Sequence, residues 1–192
     1  MRSVHLTEYE PDLLNRDADL LSQIRPLNPD SDQELTLVAS RMRQTLIEVE
    51  SQEFADTMYS VDWLKARLLW HLDQSQCQGQ VFLMGDETGY IVGHTIIRIE
   101  IIESGVSEGL FSTSYIDPGY RQQGFASALL RQGEAWMRAQ SQKVATTWTA
   151  ATNDKLIKLY EKHGYAIVQN HFHEVSQSWM VKLSKQFDRA FR

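Results

Sequence analysis

The run Tyr115-Ile116-Asp117-Pro118-Gly119-Tyr120-Arg121-Gln122-Gln123-Gly124-Phe125-Ala126 decides the fold. It places a strand end, a tight turn and a helix start in immediate succession. The first turn of a helix has unpaired N–H groups, and its aligned peptide dipoles leave partial positive charge there. A diphosphate suits such a terminus. Gly124 removes a side chain that would hold an anion off the amides, and Ala126 keeps the next approach open. The run is not a P-loop, because the Gly-Lys-Ser/Thr ending is absent, and it lacks the three glycines of the dinucleotide fingerprint. Taken alone, a glycine here more often serves only the turn.

Upstream, Gln80–Gly85 reads as a strand, Asp86–Gly89 as a turn, and Tyr90–Ile99, rich in β-branched residues, as a second strand. A loop at Ser104–Gly109 leads into a third strand, Leu110–Asp117, stopped by Pro118-Gly119. Downstream, a helix runs from about Gln123 to Gln140, with Phe125, Leu129, Gly133 and Trp136 on one stripe. Val144–Thr149 is β-rich, Asn153–His163 helical, and Tyr165–Val168 and Ser178–Leu183 strand-like. The opening is different. After a short strand at Val4–Tyr9 and an irregular stretch marked by Pro11, Pro26 and Pro29, a helix spans Asp32 to about Ala55. It carries Leu35, Val38, Met42, Leu46 and Val49 on one face. A second helix, Trp63–Leu72, has Asp62 in position to cap it. Strands followed by helices, with a hairpin ahead of them, predict an α/β fold: a mixed central sheet of about six or seven strands flanked by helices. No linker interrupts the 192 residues, so one domain over 1–192 is expected.

The whole arrangement resembles the GNAT superfamily of N-acetyltransferases. That family carries Arg/Gln-x-x-Gly-x-Gly/Ala after a strand, and here Arg121-Gln122-Gln123-Gly124-Phe125-Ala126 stands in that place. A second family signature is an asparagine followed by Leu-Tyr-Glu-Lys-x-Gly-Phe/Tyr. Asn153 is followed here by Leu159-Tyr160-Glu161-Lys162-His163-Gly164-Tyr165. The resemblance covers about 80–183, the expected cofactor-binding core. The helical region at about 10–76 matches nothing in the family and is expected on the acceptor side.

The resemblance implies a coenzyme A-dependent enzyme that moves an acetyl group from acetyl-CoA to a primary amine. Transfer would be direct, through a tetrahedral intermediate. The amides of Gln122, Gln123, Gly124, Phe125 and Ala126 would hold the diphosphate, with Arg121 adding charge; Arg121 is equally well a solvated turn residue. The strand ending in Ser114, Tyr115 and Ile116 would splay from its neighbour and expose backbone to pantetheine. The amide near Ser114 would stabilise the oxygen of the intermediate, unless the strand is simply paired. Asn153 would bond the pantetheine arm, and it is also a good N-cap. Tyr160 would give a proton to the departing thiolate; the other reading is a core tyrosine beside Leu156, Leu159 and His163.

No general base is singled out: Glu100, Glu103 and Glu108 are candidates, as is a water chain. His171 and His173 share a strand face at a spacing metals use, but a third ligand is not identifiable and no metal is expected. Asp56, Asp62, Trp63 and Trp70 could border an acceptor pocket. Cys77 is the only cysteine, so no intramolecular disulfide forms. No histidine stands close to it in sequence, so an acyl-cysteine route is not expected.

Composition narrows the partners. The 19 basic and 25 acidic residues give a formal charge of −6. Nucleic-acid binding runs on basic excess, so nucleic acid is not an expected partner. A cationic small molecule or a basic peptide suits this charge better. The N-terminus lacks the apolar core of a signal peptide, and no apolar run approaches the roughly 20 residues that cross a bilayer. The expectation is a cytoplasmic protein with no membrane partner. A small amine is the leading acceptor, with a protein or peptide amine and a non-catalytic acyl-CoA sensor as alternatives. Whether the chain acts alone or as a homodimer stays open.

Overall fold

The computed structural model describes residues 18–49, 59–174 and 177–187. Seven strands form one sheet: β1 (Ile24–Pro26), β2 (Gly79–Gly85), β3 (Ile91–Ile101), β4 (Ser107–Ile116), β5 (Val144–Ala150), β6 (Ala166–His173) and β7 (Ser178–Gln186). Their order is β1-β2-β3-β4-β5-β7-β6. Every neighbouring pair is antiparallel except β4 with β5, which run parallel. That parallel pairing is short: Gly109–Phe111 against Ala145–Thr147. Beyond it, β4 stays paired with β3 as far as Ile116, and β5 with β7 as far as Ala150. The sheet therefore splits between β4 and β5, as the resemblance implies. A register shift between Ile96 and Ile97 leaves Ser112 as an extra residue on β4, at the point where the split begins.

Two pairs of helices cover the two faces. On one side lie α1 (Asp32–Val49) and α2 (Val61–Leu72). Their Leu35, Val38, Met42, Leu64 and Leu68 pack on Val81, Leu83 and Ile96. On the other side lie α3 (Phe125–Ala139) and α4 (Asp154–Lys162). Leu129 and Met137 of α3, 1% and 0% exposed, sit over Phe82, Ile97 and Phe111. Fully burying a side chain of that size contributes about 1.5–3 kcal/mol. Gly133 lets α3 lie close on β4, since a Cβ there would overlap the Phe111 ring. Glu134, 4% exposed, is matched by Lys185 of β7 at 2.8 Å, which ties α3 to the far half of the sheet.

Element boundaries differ from the expectation in ways with local causes. The strand read at Val4–Tyr9 and the end of the first helix beyond Val49 lie outside the described residues. Strand β1 was not anticipated; three residues ending in proline carry no periodic signal. The cap of α2 is Ser60, whose hydroxyl accepts from Trp63 N at 3.1 Å, and Asp62 instead lies in the first turn. Helix α3 starts at Phe125 rather than Gln123, because Gly124 has φ 94°, outside the helical region. Strands β3 and β4 reach further than expected, so the connection between them shrinks to a tight turn closed by Ile102 N donating to Val106 O. Among the described residues, no helix is long and apolar enough to cross a membrane.

Candidate active site

The turn after β4 is held from outside and left open at the helix start. Asp117 accepts from the buried Arg41 of α1, which also donates to Ile91 O at 2.6 Å. Tyr120 OH donates to Asp86 at 3.1 Å. Arg121 donates through Nε to Ile116 O at 2.9 Å, and its guanidinium meets Glu48 of α1 at 3.0 Å. Gln122 and Gly124 both have positive φ, 63° and 94°. Residues 121–124 are exposed, and no side chain among the described residues caps α3. A Cβ at Gly124 would meet only the Leu20 side chain, at 3.3 Å. An exposed, uncapped helix start fits an anion, and the diphosphate of acetyl-CoA is the group the sequence reading put there.

The split in the sheet makes the second part of the site. Asp117 N donates to Val92 O on β3, at 2.9 Å. Backbone alternation then turns Tyr115 and Thr113 toward β3, and Ser114 and Ile116 away from it into the gap. The Ser114 amide thus faces the gap. Its hydroxyl meets Thr95 Oγ1 at 2.8 Å. Tyr115 sends its ring to the α1 face, against His94 at 5.9 Å, and Ile116 is in the core. Ile116 could touch a cofactor by backbone only, and its carbonyl already accepts from Arg121. Tyr115, with its backbone turned to β3, does not face the gap where the sequence placed it.

Tyr160 reaches the gap from α4. It is 2% exposed, and its ring packs edge-on against Phe111 and Tyr165, at 5.8 and 4.8 Å. Burial pushes its phenol well above the usual tyrosine range, partly offset by hydrogen bonds with the hydroxyls of Thr147 and Ser114. The group is therefore protonated at neutral pH and can donate. Asn153 caps α4, its Oδ1 accepting from Leu156 N at 3.3 Å, while its Nδ2 donates to Thr149 at 3.1 Å.

A cavity of about 350 Å³ crosses the split and joins the two faces. Ser114, Asn153 and Tyr160 line one end, and α1 and α2 close the other with Met42, Trp63 and Arg67. The Arg121–Ala126 turn lies outside this lining. Of the residues expected on the acceptor side, Trp63 lines the cavity and Asp62 does not. Trp70 stacks under Arg67 at 3.9 Å instead, and Asp56 lies outside the described residues. The candidate bases do not line it either. Glu108 is paired with Lys182 at 2.7 Å and Glu100 with Arg98 at 2.9 Å, while Glu103 is exposed in the β3–β4 turn. His171 and His173 are exposed on β6.

The three basic residues of the lining escaped the sequence reading: Arg67, His71 and Arg98. Arg98 had a signal, a charge inside the apolar run Ile96-Ile97-Arg98-Ile99. Arg67 and His71 are four apart on α2 and look like an ordinary solvated pair. His71 also corrects the statement about Cys77. Its Nδ1 lies 3.9 Å from Cys77 Sγ, because the turn after α2 folds the chain back. The pair is not activated. Desolvation with Arg98 and Arg67 nearby pushes His71 down to about 3, and burial pushes the Cys77 thiol up. Both are neutral, and Cys77 does not line the cavity.

Comparison with known proteins agrees with this fold. Residues 41–165 match the model of the Acetyltransferase (GNAT) family. The mycothiol acetyltransferase of Acidimicrobium ferrooxidans is 24% identical over 121 residues, 63% of this chain. The match spans only 39% of that protein's length. Among solved structures, a chain of the NatC complex bound to Gag peptide and CoA superposes with TM-score 0.70 at 15% identity, covering 86% of this chain and 98% of that one. The ribosomal-protein-alanine N-acetyltransferase of Brucella melitensis gives TM-score 0.68 at 15% identity, with 85% and 99% covered. The seven-stranded mixed sheet with its flanking helices is the fold these proteins share, and the family match takes in well over half of the sequence. The chain belongs to the GNAT family of acetyltransferases.

Proposed function

We propose that this protein is an N-acetyltransferase that moves the acetyl group of acetyl-CoA to the primary amine of a small molecule by direct transfer. The observation that carries this reading is the cavity across the β4–β5 split, with a buried phenol and a strand amide at one end and α1 and α2 closing the other. Acetyl-CoA supplies an acyl carbon activated by its thioester. The amides from Gln122 to Ala126 hold the diphosphate at the start of α3. The Ser114 amide donates to the oxygen on which charge develops. Asn153 holds the pantetheine arm from the other lip of the gap, and the Tyr160 phenol gives its proton to the leaving sulfur. Glu100 and Glu108 are held in ion pairs, which favours water as the group that takes the amine proton.

We read the chain as one domain whose cofactor side is about 80–183 and whose acceptor side is the helical part before it. A cytoplasmic setting suits its single, buried, free cysteine. Coverage of the cavity by α1 and α2 favours a small acceptor over a peptide laid in an open groove. A thiol-release assay with acetyl-CoA, run against amino acids, polyamines, aminoglycosides and short peptides, tests this reading. Release with one of the small amines is expected. Release with peptides alone would move the acceptor class. Tight acetyl-CoA binding without release on any amine would make the protein an acyl-CoA sensor.

A further inference from the structure

The geometry points to an acceptor that carries a carboxylate at the end remote from its amine, bound by Arg67 and Arg98 beneath α2. This rests on the acetyltransferase reading and names the substrate class for the same site. Both arginines line the cavity, and no aspartate or glutamate among the described residues does. Arg98 is half satisfied: it donates to Ser112 Oγ at 2.7 Å and to Glu100 at 2.9 Å. Glu100 itself is 41% exposed at its side chain, on the outer side of the arginine. Arg67 has no carboxylate partner among the described residues; its guanidinium is stacked on Trp70 at 3.9 Å.

Burial and the neighbouring Arg98 both disfavour the charge on Arg67, so two guanidinium groups in a half-enclosed pocket are costly unless an anion joins them. His71 beside them is neutral and can donate or accept a hydrogen bond without adding charge. After Glu100 the pocket keeps about one uncompensated positive charge, which matches a carboxylate better than a dianionic phosphate. A guanidinium fork suits either anion in shape. Between this cationic end and the Ser114–Tyr160 end, Met42, Leu46, Leu64 and Trp63 line the wall. The occupant is therefore an amine with an apolar body and a terminal acid. Polyamines and aminoglycosides would bring positive charge to a positive pocket, although the whole chain is acidic. The local field, not the net charge of −6, decides the acceptor.

The test pairs each acid with its amide. Apolar ω-amino acids of increasing chain length, their carboxamides, and phosphoethanolamine are assayed with acetyl-CoA. Binding of N-acetyl-ε-aminocaproate and its carboxamide to the CoA-loaded protein is measured by calorimetry, and the acid should bind the tighter. The acids should lead their carboxamides by about 10- to 100-fold in kcat/KM, mostly through KM, as expected for a charged hydrogen bond. Arg67→Gln should collapse that ratio toward one and Arg67→Lys should keep part of it, with acetyl-CoA affinity at the parent value in both. Equal or better use of the carboxamides, preference for phosphoethanolamine, or an acid preference that survives Arg67→Gln would overturn the proposal. Failure of acetyl-CoA to bind at all would instead sink the acetyltransferase reading on which it rests.

Discussion

The two faces of the sheet offer binding groups of different kinds. On the α3/α4 side, the candidate cofactor site is made of backbone: an uncapped helix start and a glycine at φ 94° for the diphosphate, and a strand amide turned into a gap for the thioester. On the α1/α2 side, the pocket is made of side chains, with two arginines and a tryptophan on an apolar wall. Backbone recognition constrains the sequence, because only certain residues permit the required φ and approach. Side-chain recognition leaves the backbone an ordinary helix, and the same α2 could carry other residues without changing its fold. A cofactor common to many proteins can therefore be read from a motif, and a particular acceptor cannot.

The largest effect expected from this contrast is at Gly124. Gly124→Glu would place a carboxylate at the helix start and force a non-glycine residue to φ 94°. The strain costs roughly 1–2 kcal/mol, which leaves a folded protein, while acetyl-CoA binding should fall by more than about 100-fold from charge repulsion and lost amide access. Calorimetry with acetyl-CoA, alongside circular dichroism, reads both. A folded variant of unchanged affinity would remove the backbone site from the comparison.

At the seam between the two faces, Tyr160→Phe should lower turnover by about 10² to 10⁴-fold, the usual range for a positioned acid. The phenol is buried, so its loss also costs about 1 kcal/mol of stability. That figure stays small because Ser114 keeps Thr95 and Thr147 keeps the Phe111 carbonyl as partners. Acetyl-CoA affinity should barely move. A variant that acetylates at the parent rate, with chemistry rate-limiting, would make Tyr160 a core residue only.

The sequence was legible where local chemistry dictates geometry. The turn at 115–126, the hairpin, and the helix behind Asn153 were all placed from propensity and spacing. A splay of the strand ending at Ile116 followed from the family resemblance, and its start after Phe111 only from the structure. The pocket was illegible for a physical reason. Arg67, His71 and Arg98 come from α2 and β3, and only the packing of α2 on the sheet brings them together. Asn153 was read both as a cap and as a partner of the pantetheine arm; it caps α4 and lines the cavity.

Acid should separate the faces by stability. His71 and His94, 2% and 0% exposed, both belong to the α1/α2 side, and each is pushed down to about 3. Neither ring nitrogen of His94 has a hydrogen-bond partner among the described residues. In the unfolded chain a histidine takes up a proton near pH 6.5, whereas these two stay neutral when folded. Between about pH 6.5 and 3 the unfolded state binds more protons, so stability falls as pH falls, by roughly 1.4 kcal/mol per unit for each. From pH 7.5 to 5 the loss is about 2 kcal/mol per histidine, before the carboxylates of Asp32 and Glu34 begin to titrate. Denaturant melts at the two pH values read it. His94→Leu should remove its own share of the difference, about 2 kcal/mol. The share of His71 should remain, with the smaller one of His163, which burial also pushes down. An unchanged slope in that variant would place the acid sensitivity elsewhere.

The smallest effect tests whether the two faces communicate. Helix α1 is fastened to the candidate diphosphate turn twice, by Arg41 to Asp117 and by Glu48 to Arg121. The second link is exposed, 37% and 38% at its side chains, so its own stability contribution is about 0–1 kcal/mol. If Arg121 turns to the diphosphate, it must leave Glu48 when acetyl-CoA binds. Glu48→Gln should then tighten acetyl-CoA by about two- to five-fold at low salt, fading at high salt. Arg121→Gln should weaken it by about five- to ten-fold. In the Arg121→Gln background the gain from Glu48→Gln should vanish, because the carboxylate acts by competing for that guanidinium. A gain that persists there would mean Glu48 merely repels the phosphates. If neither substitution alters affinity, Arg121 is a strut under the Ile116 carbonyl, and backbone alone holds the cofactor.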